Sequence, residues 1–221
     1  MLCDVIRPGE DWGAPTDAPP DVEVHGRDAD LADAAAAAPG ALVRFVPAGD
    51  SDVARAIGLD PNMHMGVELA LDLLLVDGGT GGFATNMVVI GIAPDQGGWF
   101  TKRQRCTVEV DGQEWWSGKA SAIVIATGEF LRGVDVVPRG HPGDGRVEVQ
   151  VYAVKRDEYR AMQRRLATGT HLPHPRIAQR SGLRVRVRCD RPAPLEVDGE
   201  ARPAATEVAL EVVPAALRLL V

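Results

Sequence analysis

A long succession of strand-forming segments after Pro61 is the feature that most constrains the fold. Each segment is an apolar run or an alternation of apolar and polar residues, the patterns typical of buried and half-buried strands. Turn-forming residues separate them, and Asp111-Gly112 is a dipeptide favoured in tight hairpins. One helix is predicted among them, at 157–167, closed by Gly169. The predicted strands are 67–76, 82–92, 105–110, 115–126, 146–154, 182–189, 195–197, 206–212 and 217–221.

The part of the chain before Pro61 has a different pattern. Short strands are predicted at 22–24 and 41–46, and helices at 28–38 and 51–57. The first helix is alanine-rich with acids in its first turn, and the second is capped by Asp50 or Ser51 and stopped by Gly58. This β-α-β-α order is typical of a small α/β layer.

The predicted fold class is therefore α+β, with a small α/β layer followed by a β-sandwich. We expect a loose arm at residues 1–20, a small α/β domain at 21–62, and a β-sandwich domain at 63–221. The C-terminal end of the chain is a candidate to rejoin the first domain.

Composition excludes several classes of function. A net charge of -7 argues against broad affinity for nucleic acid, which needs a basic surface. The cysteines, Cys3, Cys106 and Cys189, are odd in number and not in CxxC spacing, so we expect a reducing compartment and no cysteine metal site. The longest apolar segment, 67–76, is too short to span a bilayer. With no signal-peptide pattern at the start, the expected location is the cytoplasm, with membrane contact at most peripheral.

Two segments of the second half carry motif-like residues. Near the C-terminus, Gly169-Thr170-His171 is followed by an alternating strand and then by Asp198-Gly199-Glu200. Earlier, an apolar strand enters a glycine-rich loop over 127–146 that contains Asp144-Gly145. Together these segments resemble the diacylglycerol kinase and sphingosine kinase-like lipid kinases, particularly the bacterial members. The resemblance implies an α/β nucleotide domain, a β-sandwich lipid domain, and an active site in the cleft between them.

The resemblance implies roles for the residues of these two segments. Glu200 matches the family's general base, which accepts the proton of a lipid hydroxyl during phosphoryl transfer. Asp144, with the carbonyl oxygens of His141 and Arg146, matches a Mg²⁺ site built from oxygen ligands. Each motif also has a plain structural interpretation, because Asp198-Gly199 and Asp144-Gly145 are both typical of turns that precede strands.

The nucleotide side matches the family poorly. The family's GGDGT phosphate motif aligns with Gly26-Arg27-Asp28-Ala29-Asp30, and its second nucleotide motif aligns with 48–52, which contains Gly49, Ser51 and Asp52. The resemblance implies that Gly26, Asp28, Gly49, Ser51 and Asp52 face ATP, with Asp28 in a catalytic position beside the phosphates. Side chains in place of glycines restrict close approach, and added carboxylates repel phosphate. Relatives also carry further strands before GGDGT, so the nucleotide domain is expected to be truncated and degenerate.

Other residues with motif-like patterns are predicted to have structural roles. Asn86 matches a family strand motif, but ordinary strand packing is favoured for it. His171 and His174 lack further ligands nearby and are predicted to lie on the rim of a turn. Arg184, Arg186 and Arg188 share one strand face, where a solvated surface is favoured over contact with anionic headgroups.

Three hypotheses for function follow. The first is a non-catalytic protein that binds a lipid, an anionic ligand or a protein partner in the interdomain cleft. The second is an active ATP- and Mg²⁺-dependent lipid kinase acting on a diacylglycerol-like hydroxyl, with Glu200, Asp28 and Asp144 in the roles given above. The third is a structural subunit whose missing strands come from another chain, such as a second copy pairing at an exposed sheet edge.

Overall fold

The computed structural model describes residues 12–59, 66–77, 82–98 and 101–221. They form a mostly-sheet α+β fold whose strands join into one large, branched sheet beside a two-stranded ribbon. The elements are β1 (Ala14–Pro15), β2 (Val22–Gly26), α1 (Asp28–Ala37), β3 (Leu42–Pro47), α2 (Asp52–Ile57), β4 (Val67–Asp77), β5 (Gly82–Ala84), β6 (Met87–Gly91), β7 (Gln104–Val110), β8 (Gln113–Ala120), β9 (Ala122–Ala126), β10 (Phe130–Leu131), β11 (Val134–Asp135), β12 (Val147–Tyr152), α3 (Tyr159–Leu166), β13 (Ile177–Gly182), β14 (Arg184–Val197) and β15 (Glu200–Leu220).

The N-terminal elements form a β-α-β unit. Strands β2 and β3 are parallel, with α1 as the crossover between them. The end of β15 pairs in parallel with β3, so Arg218 lies opposite Leu42. Leu31 and Ala35 of α1 pack into a buried cluster with apolar residues of these strands. The last strand of the chain thus completes the sheet on which the first helix packs.

The remaining strands are organised by the long hairpin of β14 and β15. β14 pairs with β7 near its start and with β6 near its end, while β15 pairs with β4. Beyond β6, the sheet continues through β9 and β12 to β13. The sheet folds over a large apolar core that includes Val88, Ile125, Val149, Val187 and Leu210. Buried apolar residues of α3 cover a second cluster on the outer face of β9 and β12.

Several predicted strands have different limits in the structure. The segments predicted at 182–189 and 195–197 are parts of β14, which continues through a register shift between Arg188 and Ala193. Likewise, β15 joins 206–212 to 217–221 across an irregularity after Val213. Local pattern suggested two strands in each case, because an irregularity disturbs the alternation without ending the strand. Conversely, the predicted strand 82–92 is interrupted at Thr85 and Asn86, whose N–H groups bond to a side chain.

Within the described residues, no helix is long and apolar enough to cross a membrane.

Candidate functional site

Asp198 connects the turn between β14 and β15 to the segment that leads into β6. Its Oδ2 accepts hydrogen bonds from the N–H (2.7 Å) and hydroxyl (3.1 Å) of Thr85. Its Oδ1 accepts from the N–H groups of Asn86 (3.0 Å) and Met87 (2.9 Å). Burial raises the pKa of Asp198 to about 6, against the opposing effect of these backbone donors. The sequence indicated only a turn at Asp198; no local signal pointed to Thr85, more than a hundred positions away.

Glu200, the predicted general base, forms ion pairs through both carboxylate oxygens. Oε1 lies 2.6 Å from Nη1 of Arg27, and Oε2 lies 3.5 Å from Nη2 of Arg202. The Glu200 side chain is 26% exposed and that of Arg27 is 65% exposed, so this ion pair lies at the surface where α1 and β15 begin. Arg27 stands where the family motif has a glycine. Arg27, the residue at that position, thus forms an ion pair with the residue predicted to be the general base.

Asp28, predicted to lie beside phosphates, instead caps α2. Its buried carboxylate accepts hydrogen bonds from the Ser51 hydroxyl and from the N–H groups of Asp52 (3.0 Å) and Val53 (3.2 Å). Burial raises the pKa of Asp28, while the donor from Ser51 lowers it. Ser51 is the N-cap of α2 and accepts from the N–H of Ala54 at 3.0 Å. The structure thus brings Asp28, Ser51 and Asp52 together, with their polar atoms bonded to one another.

Asp52 holds the ribbon of β10 and β11 against α2. Its carboxylate accepts hydrogen bonds from the N–H groups of Arg132 (2.6 Å) and Gly133 (2.7 Å), at the turn of the ribbon. The Arg132 guanidinium donates to both oxygens of Asp95, each at 2.8 Å, and to Glu196 at 2.5 Å. The pKa of Arg132 is raised, chiefly by Asp95. Asp52 is therefore bonded to the glycine-rich loop, a contact that its place at a helix start did not predict.

Gly26 and Gly49 differ in their surroundings. The carboxylate of Asp30 folds back over Gly26, filling the space that a side chain there would need, and accepts the N–H of Arg27 at 2.7 Å. An anion of the chain itself thus lies at the start of α1, where helix N-termini bind anions. Gly49 has a φ of 99° and open space around its Cα, as expected for a turn between β3 and α2.

The predicted metal loop surrounds Asp144. Its Oδ1 accepts the N–H of Arg146 at 3.0 Å, and its own N–H lies 3.4 Å from the carbonyl oxygen of His141. Beside it, the buried Asp72 accepts the N–H groups of Gly145 (2.6 Å) and Ala215 (2.9 Å). Burial raises the pKa of Asp72 to about 6, and the charge of Asp144 adds to the increase. No sequence motif pointed to a role for Asp72.

The His141 carbonyl oxygen and the neighbouring carboxylates of Asp144 and Asp72 are oxygen ligands of the kind that Mg²⁺ prefers. Burial also raises the pKa of Asp144, as expected for a carboxylate whose charge is incompletely compensated. Among the described residues, however, no group of three or more His, Cys, Asp or Glu side chains is placed to hold a metal. Any ion here would rely on the Asp144 carboxylate, on carbonyl oxygens and on water.

The prediction for His171 was wrong. Its side chain is fully buried rather than on a turn rim, and Nε2 lies 3.3 Å from the hydroxyl of Tyr152. Burial lowers the pKa of His171 to about 4, so the ring is neutral at pH 7. Tyr152 also donates to Oε1 of Gln150 at 2.7 Å. These residues form a buried polar cluster within the core.

Asn86, whose N–H bonds to Asp198, lies directly before β6. Its Nδ2 donates to the carbonyl oxygen of Phe130 at 2.8 Å. Its Oδ1 is buried without a hydrogen-bond partner and faces Gly128, where a Cβ would collide with it. Close packing between Asn86 and Gly128 thus fixes the start of the glycine-rich loop.

The arginines of β14 are balanced by acids. Arg184 pairs with Glu211 (3.2 Å), Arg186 with Glu207 (3.1 Å), and Arg188 with Glu109 (2.6 Å). Each of these ion pairs is exposed and contributes little to stability. The face is a charge-paired ladder, so it does not form a positive surface.

A cavity of about 630 Å³ opens beside β6, β9 and the end of β14. Lys102 and Arg191 are its charged lining residues, and Glu200 and Asp28 do not line it. Its size is in the range of small-molecule and lipid pockets. The apolar lining includes Ile90, Ile92, Ala120, Ile123, Pro192 and Pro194.

Comparison with known proteins agrees with this fold. The family model described as the YegS C-terminal NAD kinase beta sandwich-like domain matches residues 99–221, more than half of the chain. The chain belongs to this family. The expected resemblance to diacylglycerol kinase-like lipid kinases is confirmed. None of the curated proteins is significantly similar to the chain in sequence.

Solved structures extend the likeness beyond the sandwich. A diacylglycerol kinase from Bacillus anthracis str. Sterne superposes with a TM-score of 0.72 at 16% identity, covering 90% of this chain and 77% of that one. An NAD kinase from Archaeoglobus fulgidus in complex with ATP gives a TM-score of 0.54 at 10% identity, covering 91% and 78%. At these identities the likeness establishes the fold, while activity has to be argued from the site.

Proposed function

We propose that this chain is a diacylglycerol-kinase-like protein that has lost phosphotransfer and binds a lipid. The observation that carries the proposal is the pairing of Glu200 with Arg27 at 2.6 Å and with Arg202 at 3.5 Å. A general base must present a carboxylate oxygen to the hydroxyl whose proton it accepts. Because both oxygens of Glu200 are paired with guanidinium groups, a substrate hydroxyl would have to displace one of these partners to reach the carboxylate.

The nucleotide side supports the same conclusion. Asp28 and Asp52 use their carboxylates to join α1, α2 and the ribbon, and Asp30 covers the N–H of Arg27. A phosphate would have to displace Asp30 and approach these charges. At an effective dielectric of about 20, one like charge at about 4 Å costs on the order of 4 kcal/mol. Such a cost outweighs an ordinary hydrogen bond to the phosphate.

The cavity favours a lipid as the ligand. Its apolar wall can take a hydrocarbon chain, and Lys102 and Arg191 place positive charge among the lining residues, where an anionic headgroup can bind. In this proposal Asp144, with the carbonyl oxygens of His141 and Arg146, would hold a structural Mg²⁺ that neutralises the charge beside Asp72. The role of this loop would then be structural, with Asp144 holding the ion and taking no part in phosphotransfer.

The first experiment follows thermal unfolding during a MgATP titration and includes a phosphorylation assay with diacylglycerol. We expect no nucleotide-dependent shift of Tm up to several millimolar. A ligand at a hundred times its Kd would stabilise the fold by about 2.7 kcal/mol, or roughly 5–10 °C for a chain of this size. A shift of that size in the wild type, together with phosphorylation abolished by Glu200→Ala, would establish the kinase hypothesis instead.

Mg²⁺ alone is expected to raise Tm in the wild type but not in Asp144→Asn.

The second experiment measures binding of a fluorescent long-chain fatty acid by anisotropy. Gly98 lines the cavity and has open space where a Cβ would be built, so Gly98→Phe places a bulky side chain at the cavity. We expect this variant to weaken binding at least about tenfold. Ala37→Phe, on the exposed side of α1, is the control and should bind as the wild type does. Equal affinity in all three proteins would refute the cavity as the lipid site.

A further inference from the structure

Cys106 and Cys189 are direct neighbours on adjacent strands. They are register partners in the antiparallel pair of β7 and β14, and their sulfur atoms lie 2.8 Å apart. Both are free thiols. The two cysteines are separated by 83 positions in the sequence, so only the sheet brings them together.

The strand geometry allows these thiols to be joined. Residues directly opposite each other in an antiparallel pair have Cα atoms about 4.5–5.5 Å apart. Disulfides form across Cα distances of about 4.4–6.8 Å. The sulfur atoms must approach from 2.8 Å to about 2.05 Å, a movement that side-chain rotation can supply. No change of register or separation of strands is needed.

The two thiols differ in reactivity. Cys106 is 4% exposed, whereas Cys189 is partly exposed beside the irregular section of β14. A hydrogen bond from the Cys106 thiol lowers the pKa of Cys189, and the same contact raises the pKa of Cys106. The thiolate is the reactive form of cysteine, so Cys189 is the residue that meets an oxidant first.

We propose that Cys106 and Cys189 form a reversible intramolecular disulfide when the protein meets a peroxide. The Cys189 thiolate attacks one oxygen of hydrogen peroxide, the O–O bond breaks, and Cys189 becomes a sulfenic acid as hydroxide leaves. The sulfur of Cys106 then attacks the Cys189 sulfur, forming the S–S bond and releasing the sulfenic oxygen as water. In total, two thiols and one peroxide give one disulfide and two waters, and the two thiols together lose two electrons. A small-molecule dithiol reverses the reaction by exchange.

The disulfide would connect two walls of the lipid cavity. Cys106 lines the cavity, and Arg191 and Pro192 line it just beyond Cys189. Pairing of β14 with β15 is interrupted between Arg188 and Ala193, so this part of β14 lacks regular pairing on that side. A covalent bond to β7 would fix it in place. The thiol pair itself does not depend on lipid binding, so failure of either proposal leaves the other testable.

The test uses the reduced full chain carrying Cys3→Ser, treated with hydrogen peroxide and then quenched. We expect intact mass spectrometry to show the loss of two hydrogen atoms, peptide mapping to show a link between Cys106 and Cys189, and gel filtration to show no new oligomer. Closing a loop of this length should raise Tm by roughly 5–15 °C, and dithiothreitol should reverse the change. Cys189→Ala should show neither the link nor the rise.

Three results would overturn the proposal. The first is stable sulfinic acid on Cys189 without a crosslink, and the second is a disulfide between two chains. The third is a crosslink that forms at the same rate after the chain is unfolded in urea, because the folded sheet would then contribute nothing. All three are read on the Cys3→Ser chain, so the conclusion stands even if Cys189→Ala folds poorly.

Discussion

Replacing Asp198 by alanine tests whether the Asp-Gly-Glu turn acts as a structural anchor. The change removes the acceptor of three backbone N–H groups and of the Thr85 hydroxyl. Each unsatisfied N–H costs about 1–3 kcal/mol. Alanine at the φ of 47° found here adds roughly 1 kcal/mol of backbone strain. Relief of the partly buried charge offsets part of this cost, so we expect a net loss of about 2–4 kcal/mol in the free energy of unfolding.

The assay is urea unfolding at pH 7, with Asp190→Ala on the preceding strand, β14, as the matched control. Asp190 is exposed, with Arg191 as an ion-pair partner at 3.8 Å, so its loss should cost less than about 0.5 kcal/mol. If Asp198→Ala costs less than about 1 kcal/mol, the carboxylate does not anchor the segment that leads into β6.

The pH dependence of Asp198 gives an independent check. Its folded pKa of about 6 lies above the ordinary value of 3.8, so the folded state binds its proton more readily than the unfolded chain does. Stability contributed by this group therefore increases as pH falls from about 6 towards 4. As pH falls over that range, the free energy of unfolding of the wild type should increase relative to that of Asp198→Asn. A difference that does not change with pH would contradict the raised pKa of Asp198.

Three further predictions concern other parts of the core and cleft. The pKa of His171 is about 4 in the folded state, below its ordinary value of 6.5, so the free energy of unfolding should decrease by up to roughly 3 kcal/mol as pH falls from about 6.5 to 4. In urea unfolding measured across this pH range, His171→Gln should lack this decrease. Gly128→Ala should cost more than about 2 kcal/mol because its Cβ would meet Asn86, whereas Gly98→Ala, in open space, should be nearly neutral in thermal unfolding. Arg132→Ala should cost about 1–3 kcal/mol in urea unfolding by leaving its two acidic partners unpaired.

The elements that follow local rules were predictable. Helix α1 occupies 28–37 against a predicted 28–38, and α2 begins after the predicted cap Ser51. Alternation located most strands of the sandwich, because a sheet with one buried face imposes that pattern on each strand. Strand β13 was missed because its sequence, IAQRSG, is mostly polar or small and shows no clear alternation.

The candidate site was only partly predictable. The structure places Asp28, Ser51 and Asp52 in one region, and Glu200 pairs with Arg27, which directly precedes Asp28. What these groups bond to was not predictable from the chain alone. A carboxylate next to glycine has the same local pattern whether it faces water, a metal ion or the backbone of a distant strand. The pairing of Arg27 with Glu200 likewise joins the start of the first helix to the start of the last strand.

The sequence by itself therefore determined the family, the order of helices and strands, and the residues that could carry chemistry. Only the tertiary structure decided that their polar atoms are bonded to one another, that His171 is buried, and that two cysteines lie in contact. The physical reason is that periodicity and capping act between residues a few positions apart. Ion pairs, buried polar clusters and cavities instead form between segments that the sheet topology brings together.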